Sequence, residues 1–127
     1  MAPSPFETSA TEVDGVSVIS VRGELDLGTA PNLEPALEQS LSSETSVIID
    51  LTECEFIDST GIALIVRAWQ QIDGAEDHGE RQLVVCASNE QVQRVLEISG
   101  LNLSIPILGT REEGLQAVQN GTAGKLV

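Results

Sequence analysis

The residues best placed to do chemistry are Asp58 and Ser59, which open the run D-S-T-G from Asp58 to Gly61. An aspartate and a hydroxyl side by side suit the start of a helix, where backbone N–H groups have no partner inside the helix. The same N–H groups attract anions, so a serine at this position can also carry a phosphate. Ser59 is therefore either a helix cap or a site for chemistry with an anion, and the elements around it bear on the choice.

The D-S-T-G run lies between two apolar segments of different character. Val47 to Ile49 is a continuous apolar run, which is typical of a strand covered on both faces. An acidic loop from Thr52 to Asp58 is expected to follow it. Beyond the run, apolar residues recur at helical spacing and predict one buried stripe. This stripe consists of Ile62, Ile65, Val66, Trp69 and Ile72. The sequence thus predicts a buried strand, a short acidic loop and a helix that begins near Ser59.

The outer face of this predicted helix carries one apolar residue. At about 100° per residue, Leu64 points away from the buried stripe, near Ala63 and Arg67. Single exposed leucines are common on protein surfaces. A leucine beside small Ala63 also suits close approach by a partner, so the pattern slightly favours a docking surface next to Ser59.

The N-terminal part of the chain predicts a hairpin and a helix. Asp14-Gly15 separates the extended segments Phe6–Val13 and Val16–Arg22, and both positions of such a turn favour positive φ. After Asp26, a helix is expected with Thr29 or Asn32 as its cap. Its leucines recur at every fourth position, at Leu33, Leu37 and Leu41.

The C-terminal part continues the alternation of strands and helices. Leu83–Ala87 predicts a buried strand, and the run Ser88–Gln91 has the spacing of a capping box that opens a helix. Leu103–Leu108 predicts a last strand. Pro106 places that strand at an edge of the sheet, because proline cannot donate to the ladder. Thr110 opens another capping box and a final helix.

The order of these elements predicts the fold and the position of the site. Helices between successive buried strands imply parallel pairing through right-handed crossovers. We expect an α/β fold, with a mixed, mostly parallel sheet of about five strands, about four helices and an N-terminal antiparallel hairpin. The carboxyl ends of parallel strands meet at one edge. The loop from Gly23 to Thr29, which contains Asp26, therefore lies near Ser59.

The composition restricts the partners. With 127 residues, the chain is long enough for one domain with a real core. Its formal net charge is −14, and its 6 Lys and Arg residues are scattered. Such a surface repels nucleic acid and anionic membranes, which require clustered basic residues. A protein partner is expected, with no nucleic acid and no membrane.

The compartment and the cysteines are linked. The first residues lack a secretion signal, and the longest apolar run, Ile62 to Val66, is far shorter than a membrane span of about 20 residues. We expect a cytoplasmic protein, in which Cys54 and Cys86 stay as thiols. Cys86 ends an apolar strand and is expected in the core. Cys54 lies in the predicted loop, where redox control is conceivable, although structural cysteines are the common case.

Catalysis by this chain is not expected. His78 is the only histidine, and it lies in the polar connector from Asp73 to Glu80. No serine or cysteine has a histidine placed to activate it. No glycine-rich phosphate loop of the type G-x-x-x-x-G-K occurs. We expect neither an enzyme nor a cofactor or metal site.

Four segments together resemble the STAS domain family, in particular the bacterial anti-sigma factor antagonists. Besides D-S-T-G, these segments are G-E-L-D at Gly23–Asp26, L-V-V-C-A-S at Leu83–Ser88 and V-L-E-I-S-G-L at Val95–Leu101. The resemblance covers roughly residues 6–118 and implies a single STAS domain over residues 1–127.

The resemblance implies a function for Ser59. In the family, the serine after the aspartate is phosphorylated by a partner kinase that is also an anti-sigma factor. The unphosphorylated chain would bind this serine/threonine kinase and free a sigma factor, whereas phosphorylation of Ser59 would block binding. The chain is expected to be a monomer when free. The residues expected to contact the partner are Asp26, Asp58, Ser59, Thr60, Gly61, Ala63, Leu64 and Arg67.

Two other functions are compatible with parts of the sequence. A receiver-like domain would use Asp50 as phosphoacceptor, with magnesium held by nearby carboxylates. It is rejected because the first strand does not end in an acidic pair and no lysine follows the late strands until Lys125. Within the resemblance, an accessory subunit of a lipid-transporting ABC system or of a stress-signalling assembly remains open. Such a subunit would keep the fold without a serine switch.

Overall fold

The computed structural model describes residues 6–73 and 81–119 of the chain. Within these ranges it has the predicted alternation of strands and helices. The strands are β1 (Glu7–Val13), β2 (Val16–Leu25), β3 (Val47–Ile57), β4 (Leu83–Cys86) and β5 (Ile107–Leu108). The helices are α1 (Ala30–Ser42), α2 (Ser59–Asp73), α3 (Glu90–Ile98) and α4 (Arg111–Gln119). The connector residues 74–80, with His78, and the expected helix end at Asn120-Gly121 lie outside the described residues.

The five strands form one mixed sheet in the order β1-β2-β3-β4-β5. β1 and β2 are antiparallel, and the other neighbouring pairs are parallel, which confirms the predicted fold class. The hairpin turn is at the predicted position, where Asp14 has φ 50° and Gly15 has φ 79°. Both residues are in the left-handed region, which suits a tight turn between twisted strands.

Both faces of the central strands are buried. Ile49 belongs to the large core beneath α1, α2 and α3, whereas its neighbour Ile48 belongs to a smaller core beneath α4. Successive side chains of a strand point to opposite faces, so a continuous apolar run is required where both faces are covered. The prediction of a doubly covered strand at Val47–Ile49 is confirmed.

The prediction of a loop from Thr52 to Asp58 is wrong. β3 continues to Ile57, and β2 continues to Leu25, because the ends of these two strands pair with each other. The pairing passes through two register shifts, at Ser20/Arg22 and at Gly23/Glu24. Such irregularities interrupt the alternation of buried and exposed residues. The sequence of this segment therefore lacks the regular alternation of a strand and predicts a loop, although the segment is a bulged strand.

Two further details differ at the C-terminal side. Leu103 ends a 3₁₀ turn, and the last strand is limited to Ile107–Leu108, although it is an edge strand as predicted. The cap of α3 is Asn89, whose side chain accepts hydrogen bonds from two backbone N–H groups, and not Ser88. The hydroxyl of Ser88 donates instead to the carbonyl of Thr52, a contact between β3 and the loop after β4.

The capping of α4 at Thr110 is confirmed, and an ion pair holds the start of this helix on the sheet. The hydroxyl of Thr110 accepts a hydrogen bond from the N–H of Glu113 at 3.1 Å. Arg111 donates to Oδ2 of Asp50 at 2.8 Å and to the hydroxyl of Ser20 at 2.7 Å. Asp50 is only 3% exposed, and its other oxygen accepts two hydrogen bonds from Thr52. The carboxylate that a receiver-like domain would expose is thus occupied in holding α4.

No helix of the described residues is long and apolar enough to cross a bilayer.

The Asp50–Arg111 pair should contribute measurably to stability. We expect Arg111→Met to lower the free energy of unfolding by about 2 kcal/mol, because it removes hydrogen bonds to a buried carboxylate. Urea denaturation followed by circular dichroism measures this. Arg67→Met is the matched control, since Arg67 and its partner Glu34 are exposed and such pairs contribute less than about 1 kcal/mol. Equal losses in the two variants would contradict the assignment.

Candidate functional site

The junction between β3 and α2 is capped by Asp58. Its Oδ1 accepts hydrogen bonds from the backbone N–H of Thr60 at 2.9 Å and of Gly61 at 3.3 Å. These are two of the N–H groups that have no partner inside the helix. Asp58, and not Ser59, is therefore the residue that caps α2.

Ser59 is the first residue of α2 and is exposed. Its hydroxyl makes no hydrogen bond to any other residue within 6–73 and 81–119. The neighbouring Thr60 is less accessible. A free, exposed hydroxyl at the start of a helix is accessible to a modifying enzyme. The N-terminus of a helix also tolerates an added negative charge.

The packing around Gly61 leaves no room for a side chain at the end of the D-S-T-G run. A Cβ atom at this position would lie 2.7 Å from Cγ1 of Ile57 and 2.9 Å from Cγ of Leu25. The first turn of α2 thus packs directly on the ends of β3 and β2. The N–H of Asp58 donates to the carbonyl of Leu25 at 3.2 Å, which closes the same contact through the backbone.

Asp26 lies at this edge because it follows Leu25 directly. Its Oδ1 accepts hydrogen bonds from the N–H of Gly28 at 3.0 Å and of Thr29 at 3.1 Å. The hydroxyl of Thr29 donates to the carbonyl of Glu24 at 2.7 Å and does not cap α1. Asp26 therefore stabilises the turn into α1. The structure brings this turn and the start of α2 to the same edge of the sheet.

The expectation that Leu64 is exposed is wrong. Leu64 is 3% exposed, because α1 packs against this side of α2. Ile65 and Ile72 are buried as predicted, whereas Ile62, Val66 and Trp69 are only partly buried. The outward side of α2 instead carries two other expected contact residues, Ala63 and Arg67, which are both exposed.

Two apolar residues at this edge were missed from the sequence. Leu27, in the turn after Asp26, is 74% exposed, and Phe56 is 45% exposed. Phe56 precedes the buried Ile57, so it points to the opposite face of the strand. The missed signal was an apolar residue within a polar turn at Leu27. For Phe56 the signal was hidden by the expectation of a loop.

Both cysteines are buried, and Cys54 lies in β3 rather than in a loop. The thiol of Cys54 donates to the carbonyl of Phe56, and burial raises its pKa. Burial, together with the charge of Asp50, raises the pKa of Cys86 to about 12. Both groups are neutral thiols at neutral pH. In the described ranges, no three side chains of His, Cys, Asp or Glu could hold a metal ion together.

The fold and this junction define a class of protein: an α/β domain that presents a serine at a helix start. The STAS domain family model matches residues 7–114. The chain belongs to the STAS domain family.

Relatives of known name agree with the family. The chain is 28% identical to the anti-sigma-F factor antagonist RsfB of Mycobacterium tuberculosis over 121 residues, which cover 94% of this chain and 95% of the relative. It is 32% identical to the anti-sigma-B factor antagonist of Listeria monocytogenes over 109 residues, covering 85% and 91%. A crystal structure of an anti-sigma factor antagonist from Mycobacterium paratuberculosis superposes with a TM-score of 0.82 at 32% identity, covering 93% of this chain and 97% of the other.

Capping by Asp58 and not by Ser59 can be tested by stability. We expect Asp58→Ala to lower the free energy of unfolding by about 1 kcal/mol, the usual effect of losing a cap. Ser59→Ala should change it by less than about 0.5 kcal/mol, because no hydrogen bond within the described chain is lost. Urea denaturation of both variants gives the values. The reverse order of the two losses would show that Ser59 is the cap.

The thiols should be unreactive in the folded protein. Only a thiolate attacks iodoacetamide, and burial keeps both Cys54 and Cys86 protonated and covered. We expect no alkylation at about pH 8 under native conditions, and alkylation of both residues in concentrated urea, as read by mass spectrometry. Selective labelling of native Cys54 would restore a redox role for that residue.

Proposed function

We propose that this protein is an anti-sigma factor antagonist controlled by phosphorylation of Ser59. The unphosphorylated form binds an anti-sigma factor that is also a serine kinase, and the sigma factor held by that kinase is released. Phosphorylation of Ser59 blocks the contact. The chain is the substrate and regulator in this scheme, and the catalysis belongs to its partner.

The observation that carries the proposal is the division of roles between Asp58 and Ser59. Asp58 caps α2, so the fold does not require the hydroxyl of Ser59. The hydroxyl is exposed at the edge where the turn after β2 also lies. A side chain that makes no stabilising contact can be modified without unfolding the protein. The names of the relatives support the same function.

Phosphorylation changes this surface by charge and size. A phosphoserine adds about −1.5 to −2 charges at neutral pH. The added dianion would lie next to the carboxylate of Asp58, on a chain whose net charge is already −14. The nearest arginine of α2, Arg67, is two turns away and is paired with Glu34. A partner surface that fits a neutral hydroxyl would therefore have to desolvate a dianion that has no cationic side chain beside it in the first turn of α2.

The required energy is modest. A loss of about 3 to 4 kcal/mol in binding free energy weakens affinity by several hundredfold, which is sufficient to exchange partners. The exposed side chain of Leu27, in the turn after Asp26, is suited to supply apolar contact area at the same edge as the serine.

The first test is a pull-down from native cytosol with wild type and Ser59→Glu. We expect wild type to retain an ATP-binding serine kinase and Ser59→Glu to lose it, with a dissociation constant several hundredfold higher for the purified pair. Ser59→Ala should bind but resist labelling by the kinase with ATP. Thr60→Ala is the matched control and should still be labelled.

Different results would identify a different function. If wild type and Ser59→Glu retain the same partner equally well, Ser59 is not a switch. If that partner is a transporter subunit, the chain is a docking subunit of an ABC system. Labelling of Ser59→Ala would show that the modified residue is another hydroxyl.

A further inference from the structure

Three of the four backbone N–H groups at the start of α2 are already bound. The four groups that the start of this helix leaves without a partner inside the helix are those of Asp58, Ser59, Thr60 and Gly61. The N–H of Asp58 donates to the carbonyl of Leu25 at 3.2 Å. Those of Thr60 and Gly61 donate to Oδ1 of Asp58 at 2.9 Å and 3.3 Å. Only the N–H of Ser59 itself has no partner within the described part of the chain.

A phosphate on Ser59 would compete with Asp58 for these groups. Backbone N–H groups at a helix start are the donors that phosphates commonly accept hydrogen bonds from. To reach those of Thr60 and Gly61, the phosphate would have to displace a carboxylate that already caps the helix in the usual geometry. Gly61 is buried against the ends of β2 and β3, where a Cβ atom would lie 2.7 Å from the nearest side-chain atom. This packing opposes a rotation of the turn that would direct its N–H groups towards Ser59.

The charged groups around Ser59 are mainly acidic. The carboxylate of Asp58 belongs to the neighbouring residue, and Asp26 lies in the turn at the same edge of the sheet. The only arginine of α2 is Arg67, 8 positions after Ser59, or about 12 Å along the helix axis. Arg67 is bound to Glu34 at 3.5 Å. A phosphate on Ser59 is therefore not neutralised by a cationic side chain of its own helix.

We propose that Asp58 is a positioning residue of the switch: its carboxylate keeps the N–H groups of Thr60 and Gly61, so that a phosphate on Ser59 stays in solvent and faces the partner. This inference rests on the proposed function and specifies how the modification acts. A phosphate bound to the helix start would be partly neutralised and folded onto this chain. A phosphate that is excluded from the helix start presents its full charge to the surface that covers Ser59.

The test uses protein with phosphoserine incorporated at position 59 during translation, so no kinase is needed to prepare it. Wild type is compared with Asp58→Asn, which keeps a cap and removes its charge, and with Asp58→Ala, which removes both and frees two N–H groups. The matched control is Asp73→Asn, the same charge change at the exposed last residue of α2. It lies 14 positions after Ser59, or about 21 Å along the axis. Circular dichroism checks that each variant is folded.

Nuclear magnetic resonance reports where the phosphate lies. In phosphorylated wild type, we expect the amide protons of Thr60 and Gly61 to show no large downfield shift and not to follow the titration of the phosphate. In Asp58→Ala the same protons should move downfield and follow it, because charge-assisted hydrogen bonds to the phosphate form.

The second pKa of the phosphate, read from ³¹P resonances, gives an independent measure. It should be lower in Asp58→Asn than in wild type, because a neighbouring like charge no longer opposes the dianion. It should be lower again in Asp58→Ala, because the freed N–H groups stabilise the dianion. Asp73→Asn should leave the pKa unchanged.

Calorimetric titration with the kinase recovered in the pull-down measures the effect on the switch. We expect phosphorylation to weaken the binding of wild type and of Asp73→Asn several hundredfold, and that of Asp58→Ala by a factor at least threefold smaller. Equal factors in wild type and Asp58→Ala would overturn the role of Asp58 in the switch.

The two kinds of measurement separate this inference from the proposed function. If the amide protons of Thr60 and Gly61 in phosphorylated wild type move downfield and titrate with the phosphate, the phosphate has displaced Asp58 and the positioning role is overturned. If these protons behave as expected while phosphorylation leaves kinase binding unchanged, the placement of the phosphate stands and the proposed function is overturned.

Discussion

The functional edge depends on the pairing between the last residues of β2 and β3. Leu25 pairs with Ile57, the carbonyl of Leu25 accepts a hydrogen bond from Asp58, and Gly61 packs against both apolar side chains. This set of contacts determines where α2 begins and which way its first turn faces. It also places the turn of Asp26 beside that helix. Without it, the D-S-T-G run would be a local motif with no fixed position on the sheet.

In the proposed function, the division of roles at this edge separates the residues that stabilise the helix start from the residue that is regulated. Asp58 supplies the cap and Gly61 permits the close packing, so both stabilise the start of α2. Ser59 is the first residue of the helix, directly after the cap, and its hydroxyl makes no hydrogen bond to any other described residue. This arrangement suits the proposed switch, because a change at Ser59 would alter the surface and leave the helix start intact.

Most arginines in the part of the chain that the structure describes bind other groups of the protein. Arg111 holds α4 against the buried Asp50, Arg67 pairs with Glu34, and Arg81 donates to main-chain carbonyls of Thr45, Ser40 and Leu41. With a formal net charge of −14, the chain as a whole is strongly acidic, which favours association with a basic partner.

Local patterns in the sequence determined most of the elements and much of the site. The Asp14-Gly15 turn, the apolar run at Val47–Ile49 and the helix start at D-S-T-G all depend on residues close together in the chain, and all are confirmed. Tertiary structure decided what depends on distant residues. β3 extends to Ile57 only because the end of β2 is available to pair with it, and Leu64 is buried only because α1 covers that side of α2. Likewise, the sequence leaves the capping role open between Asp58 and Ser59, and only the hydrogen bonds of Asp58 assign it. Periodicity and capping preferences depend on the residues of one segment. Strand pairing and helix packing depend on two segments that are distant in the sequence, so one segment alone does not predict them.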